Sequence, residues 1–206
     1  MATGPEFLFA QARDIALNLV EDLRPVVELC KVAGSLRRRR ATVKDLELVV
    51  MPRAGVPDLL GNVPAPDVES IRAKVIEWGE PVKGCTDKSP GKYMQVTHVL
   101  GYAQLTCDVF VVTPPANFWS ILAIRTGPAA LGHVCVTHLQ RFGMVHDGGR
   151  IIDTRTKRDV LVESEEDFFR LCGMPFYKPH LRDSIEARTP LPASVEAKAI
   201  FREACS

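Results

Sequence analysis

The stretch DLELVVM at residues 45–51 constrains the fold more than any other in this chain. Acid and apolar residues alternate for four positions, and the run then turns fully apolar. A side-chain period of two is that of a β-strand, so Asp45 and Glu47 share one face while Leu46 and Leu48 take the other. The first half of such a strand reaches an open site and the second half enters a core. Further along, LTCDVFVV (105–112) sets Asp108 in the middle of an apolar, β-branched sequence. An ionised carboxylate inside such a strand is costly unless something pairs with it. If the two strands are neighbours, three carboxylates converge, and like charges that close raise one another's pKa unless a cation lies among them. Oxygen-only donors suit a hard divalent ion, Mg²⁺ first and Mn²⁺ second. The plainer alternative puts Asp45 and Glu47 on the solvent face of an edge strand and pairs Asp108 with an arginine.

The surrounding chain supplies the elements to build on. Leu8, Ala12, Ile15, Leu19 and Leu23 recur at helical spacing, and Pro25 ends that run. VVELCKVA (26–33) is a strand or a buried helix segment that feeds a turn at Gly34-Ser35, and residues 52–66 read as a Pro- and Gly-rich loop. DVESIRAKVIEWG (67–79) carries Val68, Ile71, Val75 and Trp78 on one helical face and stops at a glycine. GKYMQVTHVLG (91–101) and AQLTCDVFVVTPP (103–115) form a hairpin turning at Gly101, closed by Pro114-Pro115. Beyond those prolines the sequence is helical on both sides of Thr126-Gly127-Pro128. A glycine turn at Asp147-Gly148-Gly149 and a short strand pair follow, and then a capped helix in ESEEDFFRLCGMPF that ends at Gly173. The expected fold class is mixed α/β (α+β): an α/β domain over residues 1–115 and a smaller α+β domain over 116–206. Trp78, Trp119, Phe168 and Phe169 are expected to pack, and Cys107 to be a buried neighbour of Asp108 pointing to the opposite side.

A net charge of +1 rules out a globally basic nucleic-acid binder, so any polyanion site must be local. The local candidate is the span from Lys31 to Lys44, which holds six basic residues and no acid. Six cysteines without a CxxC pair read as reduced thiols rather than a disulfide framework. His133 and His138, five apart, make no zinc pattern. With no signal peptide and no apolar run near the roughly 20 residues of a spanning helix, the expected location is cytoplasmic or nucleoid-associated, with no membrane partner.

Gly34 lets the backbone approach a ligand closely, Ser35 adds a donor, and Arg37 to Arg40 offer planar charged forks that match phosphate geometry. This arrangement, GSLRRRRATVKDLEL (34–48), resembles the signature of the family X DNA polymerases, the DNA polymerase beta-like branch of the nucleotidyltransferases. Its pattern is Gly-Ser, an arginine pair, then Asp-x-Asp or Asp-x-Glu at this spacing. GKYMQV, CDVFVVTPPANFW, RTGPAALGHV and ESEEDFFRLCGMPFYKPHLRD resemble later family segments in the right order, over nearly the whole chain. The resemblance implies a palm domain with a mixed β-sheet and flanking helices, followed by a small nucleotide-selecting domain. It also implies a DNA-directed DNA polymerase active in gap filling or end processing in DNA repair, adding nucleoside monophosphates from a (d)NTP to a 3′-hydroxyl. Asp45, Glu47 and Asp108 would be the catalytic acids and hold two Mg²⁺ ions. Gly34, Ser35, Arg38 and Lys44 would bind the nucleotide's phosphates, and Thr126 and Gly127 its sugar and base. Lys92 and His133 are weaker candidates for touching the DNA primer and template.

The pattern departs from the family in several places. Glu47 stands for the commoner second Asp, and Lys44 for a glycine. Ile124 and Arg125 replace aromatic residues, and Gly132 and His133 fall where an asparagine is usual. The resemblance further implies a minimal form without the family's lyase and helix-hairpin-helix domains. DNA would then be held by local basic groups such as Lys83, Lys88, Lys92, Arg141 and Arg150, with modest, salt-dependent affinity. Transfer to RNA, a protein hydroxyl or a small molecule stays open, as does a catalytically silent module that binds nucleotide or DNA ends.

Overall fold

The computed structural model describes residues 6–55, 65–86 and 91–184. The chain divides at the Pro114-Pro115 pair into two compact units, Met1–Thr113 and Pro114–Ser206. In the first unit the order is β1 (Phe7–Leu8), α1 (Phe9–Leu23), β2 (Val27–Val32), the single helical turn α2 (Gly34–Arg37), β3 (Thr42–Val43), β4 (Asp45–Pro52), α3 (Val68–Glu77), β5 (Glu80–Lys83), β6 (Tyr93–Thr97) and β7 (Thr106–Val111). Five of these strands form one mixed sheet in the order β2-β4-β7-β6-β5. β4 and β7 run parallel, and every other neighbouring pair is antiparallel.

Alternation along the strands builds the core. Leu46, Leu48 and Val50 of β4, Cys107, Val109 and Val111 of β7, and Met94 and Val96 of β6 all turn to one face. That face packs against Ala12, Ile15, Leu19 and Leu23 of α1 and Ile71 and Val75 of α3. Each large aliphatic side chain buried this way contributes about 1.5–3 kcal/mol. Asp22 at the end of α1 ties the two helices together: it accepts from Trp78 Nε1 at 2.8 Å and from Lys74 Nζ at 3.1 Å. α3 starts on Asp67, whose carboxylate accepts the Ser70 amide, a cap of about 1 kcal/mol.

Several expectations resolve here. Residues 27–32 form a strand, settling the choice left open between strand and helix. Gly34-Ser35 does not form a simple turn but opens the helical turn α2, with Arg38 N bonded back to Gly34 O at 3.2 Å. β4 is an interior strand between β2 and β7, so the edge-strand alternative for Asp45 and Glu47 fails. The hairpin of β6 and β7 is joined by a longer connection than a turn at Gly101, with a short 3₁₀ turn over Val99–Gly101. Strands β1, β3 and β5 carry too few residues for an alternation to register in the sequence. Residues 56–64 of the Pro- and Gly-rich stretch lie outside the described residues.

The second unit contains α4 (Phe118–Thr126), α5 (Ala129–Arg141), β8 (Met144–Asp147), β9 (Arg150–Asp153), α6 (Glu165–Leu171) and a 3₁₀ turn at Pro179–Ser184. Its core gathers Ala123, Leu131, Cys135, Leu139, Met144, Ile151, Phe168 and Phe169. The glycine turn at 147–149 lies inside the β8–β9 pair rather than ahead of it, because Asp147 pairs with Arg150 across it. Ser164 caps α6 by accepting the Asp167 amide, and the acids of its first turn complement the helix dipole. Arg182 is fully buried, donating to Glu165 Oε1 at 2.9 Å and to Tyr177 O at 2.9 Å.

Candidate functional site

The face of the sheet opposite the helices carries the acids. In the parallel register of β4 and β7, Glu47 lies beside Asp108 and Asp45 beside Thr106. Neighbouring strands are about 4.8 Å apart, so Glu47 and Asp108 stand side by side, with Asp45 on the same face two residues along. All three are half-buried. Burial first, and the charge of Asp108 second, push the Asp45 carboxyl above its ordinary range, although Lys44 and Arg38 act in the opposite direction. Burial and a like charge both disfavour the ionised form of a carboxyl.

Among the described residues, Asp108 pairs with no arginine. Its Oδ1 accepts from the Tyr93 hydroxyl at 2.8 Å and from Gln95 Nε2 at 2.8 Å. Both donors come from β6, where Gln95 is the cross-strand partner of Asp108. Neither residue stands out in the sequence by its chemistry. The signal that could have found them is the alternation of Tyr93, Gln95 and Thr97 with buried Met94 and Val96, which marks a polar face on the strand next to Asp108. On the other face, burial pushes the Cys107 thiol well above its ordinary range, which makes it an inert packing residue.

The Gly34–Ser35 segment meets the acids from the β2 side. Ala33 N donates to Glu47 O at 2.7 Å, extending the β2–β4 ladder by one bond. Gly34 then takes φ +62°, and a Cβ built there would sit 1.8 Å from Glu47 Oε2. The backbone angle favours glycine, and a Cβ there would push the Glu47 carboxylate aside. Next to it, the Ser35 hydroxyl is buried and, among the described residues, has no hydrogen-bond partner. An orphaned buried hydroxyl costs about 1–3 kcal/mol, which a ligand atom would relieve. It opens on a cleft of about 370 Å³ lined by Glu6, Ser35, Arg40, Thr42, Lys44 and Asp45. Lys44 Nζ lies 3.9 Å from Glu6 Oε1 and is exposed, and Arg38 is half-buried with its charge acting on Asp45.

Carboxylate oxygens on one face of a sheet are donors of the type that suits a hard divalent ion, and Asp45, Glu47 and Asp108 are the residues that could supply them. Among the described residues, no three His, Cys, Asp or Glu side chains are gathered closely enough to form a ready-made metal cage.

The remaining candidates are distributed more widely. Lys92 is exposed just ahead of β6, and Lys83 is exposed on β5, whereas Lys88 lies outside the described residues. In the second unit, Thr126 ends α4 fully buried, its hydroxyl donating to Leu122 O at 2.7 Å. Gly127 follows at φ +69°. His133 is exposed on α5. Arg141 approaches His138, and Arg150 forms a two-point ion pair with Asp159 at 2.8 and 3.0 Å. Among the described residues, no helix is long and apolar enough to cross a membrane. No family model matches the chain, and no curated protein matches it.

Proposed function

We propose that this chain is a nucleotidyltransferase of the DNA polymerase beta-like kind, transferring a nucleoside monophosphate from a (d)NTP to a 3′-hydroxyl, with gapped or primed DNA as acceptor. The observation that carries the reading is the register of β4 and β7, which sets Glu47 beside Asp108 with Asp45 on the same face. The unpartnered Ser35 hydroxyl beside Asp45 and Lys44 in one cleft supports a phosphate-binding role for that corner. Such a protein acts in the cytoplasm or at the nucleoid, where its nucleotides and acceptor are found.

In this reading the 3′-oxygen bonds to the α-phosphorus as the bond to the pyrophosphate oxygen breaks, in line. Asp45, Glu47 and Asp108 would hold two Mg²⁺ ions, which when bound supply the positive charge that eases hydroxyl deprotonation and stabilises the leaving pyrophosphate. The Ser35 hydroxyl and the backbone at Gly34 hold the β- and γ-phosphates. Arg38 and Lys44 neutralise their charge. Thr126 and Gly127 act through main-chain groups on the sugar and base. Glu47 reaches back over Gly34, so the metal-binding and phosphate-binding halves of the site are mechanically linked.

The test is primer extension with Mg²⁺ or Mn²⁺ on gapped, open and single-stranded DNA, each dNTP and NTP being offered separately. Template-directed extension that Asp108→Ala abolishes, with the fold intact, is the expected result. Extension by Asp108→Ala at the parental rate overturns the catalytic assignment. Pyrophosphate release with RNA, protein or small-molecule acceptors alone moves the acceptor class. Nucleotide binding without any pyrophosphate release makes the chain a silent binding module.

A further inference from the structure

Two neutral donors converge on one oxygen of Asp108. The Tyr93 hydroxyl and the Gln95 amide both donate to Oδ1 at 2.8 Å, and among the described residues no hydrogen bond or ion pair engages Oδ2. The two donors are themselves fixed. Gln95 stands directly across the strand pair from Asp108, and Tyr93 across from Phe110. The Tyr93 ring lies on the Phe110 ring with centroids 5.3 Å apart, tilted by 30°. Met94 and Val96, alternating with them, are fully buried on the opposite face and lock β6 in register.

The choice of donor type decides what this arrangement can do. A guanidinium beside Asp108 would compete with a divalent cation for the same oxygens. A hydroxyl and a carboxamide fix its rotamer and bring no net charge of their own to compete with a cation. With Oδ1 saturated, the plane of the carboxylate is set and Oδ2 is the oxygen left for ligation. Outer partners of this sort typically carry about 10- to 100-fold of metal affinity.

We propose that Tyr93 and Gln95 are positioning residues that pin Asp108 through Oδ1 and preset Oδ2 as a ligand for the divalent cation, an inference that rests on the nucleotidyltransferase reading. Neither residue touches the reacting atoms; both act through Asp108. Their role therefore belongs to metal affinity and turnover rather than to nucleotide affinity.

The experiment titrates Mn²⁺ alone into the full chain and follows free Mn²⁺ by electron paramagnetic resonance. It uses the parental protein, Tyr93→Phe, Gln95→Met, the double variant and Asp108→Ala. Tyr93→Phe keeps the ring on Phe110 and Gln95→Met keeps the side-chain length, so both should retain the parental melting temperature. The expected result is Mn²⁺ affinity weaker by about 10-fold in each single variant and approaching 100-fold in the double. Steady-state kinetics should show a matching fall in kcat with nucleotide KM near the parental value, and recovery of rate as Mg²⁺ is raised. Parental Mn²⁺ affinity and kcat in Tyr93→Phe and Gln95→Met, with both lost in Asp108→Ala, overturn the positioning role and leave the function standing. Parental Mn²⁺ affinity in Asp108→Ala overturns the metal site itself, and the positioning role with it.

Discussion

At Asp45, burial and the neighbouring charge of Asp108 act in the same direction, and both disfavour the ionised carboxylate. The folded-state pKa lies above the unfolded value of about 3.9, so the native state holds this proton more tightly than the unfolded chain does. Stability then falls as pH rises through the window between the two values. The penalty is absent below the lower pKa and complete above the upper one. Asp45→Asn should accordingly raise the melting temperature at pH 7, and the gain should shrink as pH approaches 4. The same variant should lose nucleotidyl transfer. Differential scanning calorimetry across pH, beside primer extension, checks both halves. A destabilised Asp45→Asn at neutral pH would mean that its carboxylate is paired rather than repelled.

At the scale of elements, the joint between β2, α2 and β4 concentrates the unusual demands on the chain. Gly34→Ala forces a left-handed angle on an L-residue, at about 1–2 kcal/mol, and drives a methyl group into Glu47 Oε2. Because the obstructed atom ends a flexible side chain, the carboxylate should swing away while the backbone holds. Activity should fall by about 100-fold, the usual effect of an ångström-scale misplacement. Glu47→Asp, which withdraws the carboxylate by one methylene, should restore part of that loss in the double variant, measured as a double-mutant cycle. Purely additive losses would show that Gly34 and Glu47 act independently. The joint also shows what could and could not be read from the sequence. The period of DLELVVM and the apolar flanks of Asp108 were enough to assign the faces of β4 and β7, because alternation is a local property. That these strands are parallel neighbours depends on pairing across some sixty residues, which no local pattern records. Tyr93 and Gln95 escaped notice for the same reason: their meaning comes from the strand opposite. The helical turn α2 is too short to carry a periodicity, and so passed for a turn.

At the scale of the whole molecule, two separate cores carry two kinds of risk. The first is aliphatic and spread over a five-stranded sheet. The second depends on Arg182, which is 0% exposed, paired with Glu165, and set over the Phe169 ring at 4.9 Å. Breaking a buried pair of this kind is typically destabilising by about 3–5 kcal/mol. Arg182→Met should strip hydrogen-exchange protection from α4, α5 and α6 while β4, β6 and β7 keep theirs. In the sheet, by contrast, the vulnerability is one of reading frame. Acids and core residues alternate along the same two strands, so deleting a single residue from β4 or β7 would send carboxylates into the hydrocarbon and leucines into solvent. No such deletion can silence the chemistry and spare the architecture. Loss of function by that route should appear as insoluble protein, and only substitutions should yield folded, inactive chains.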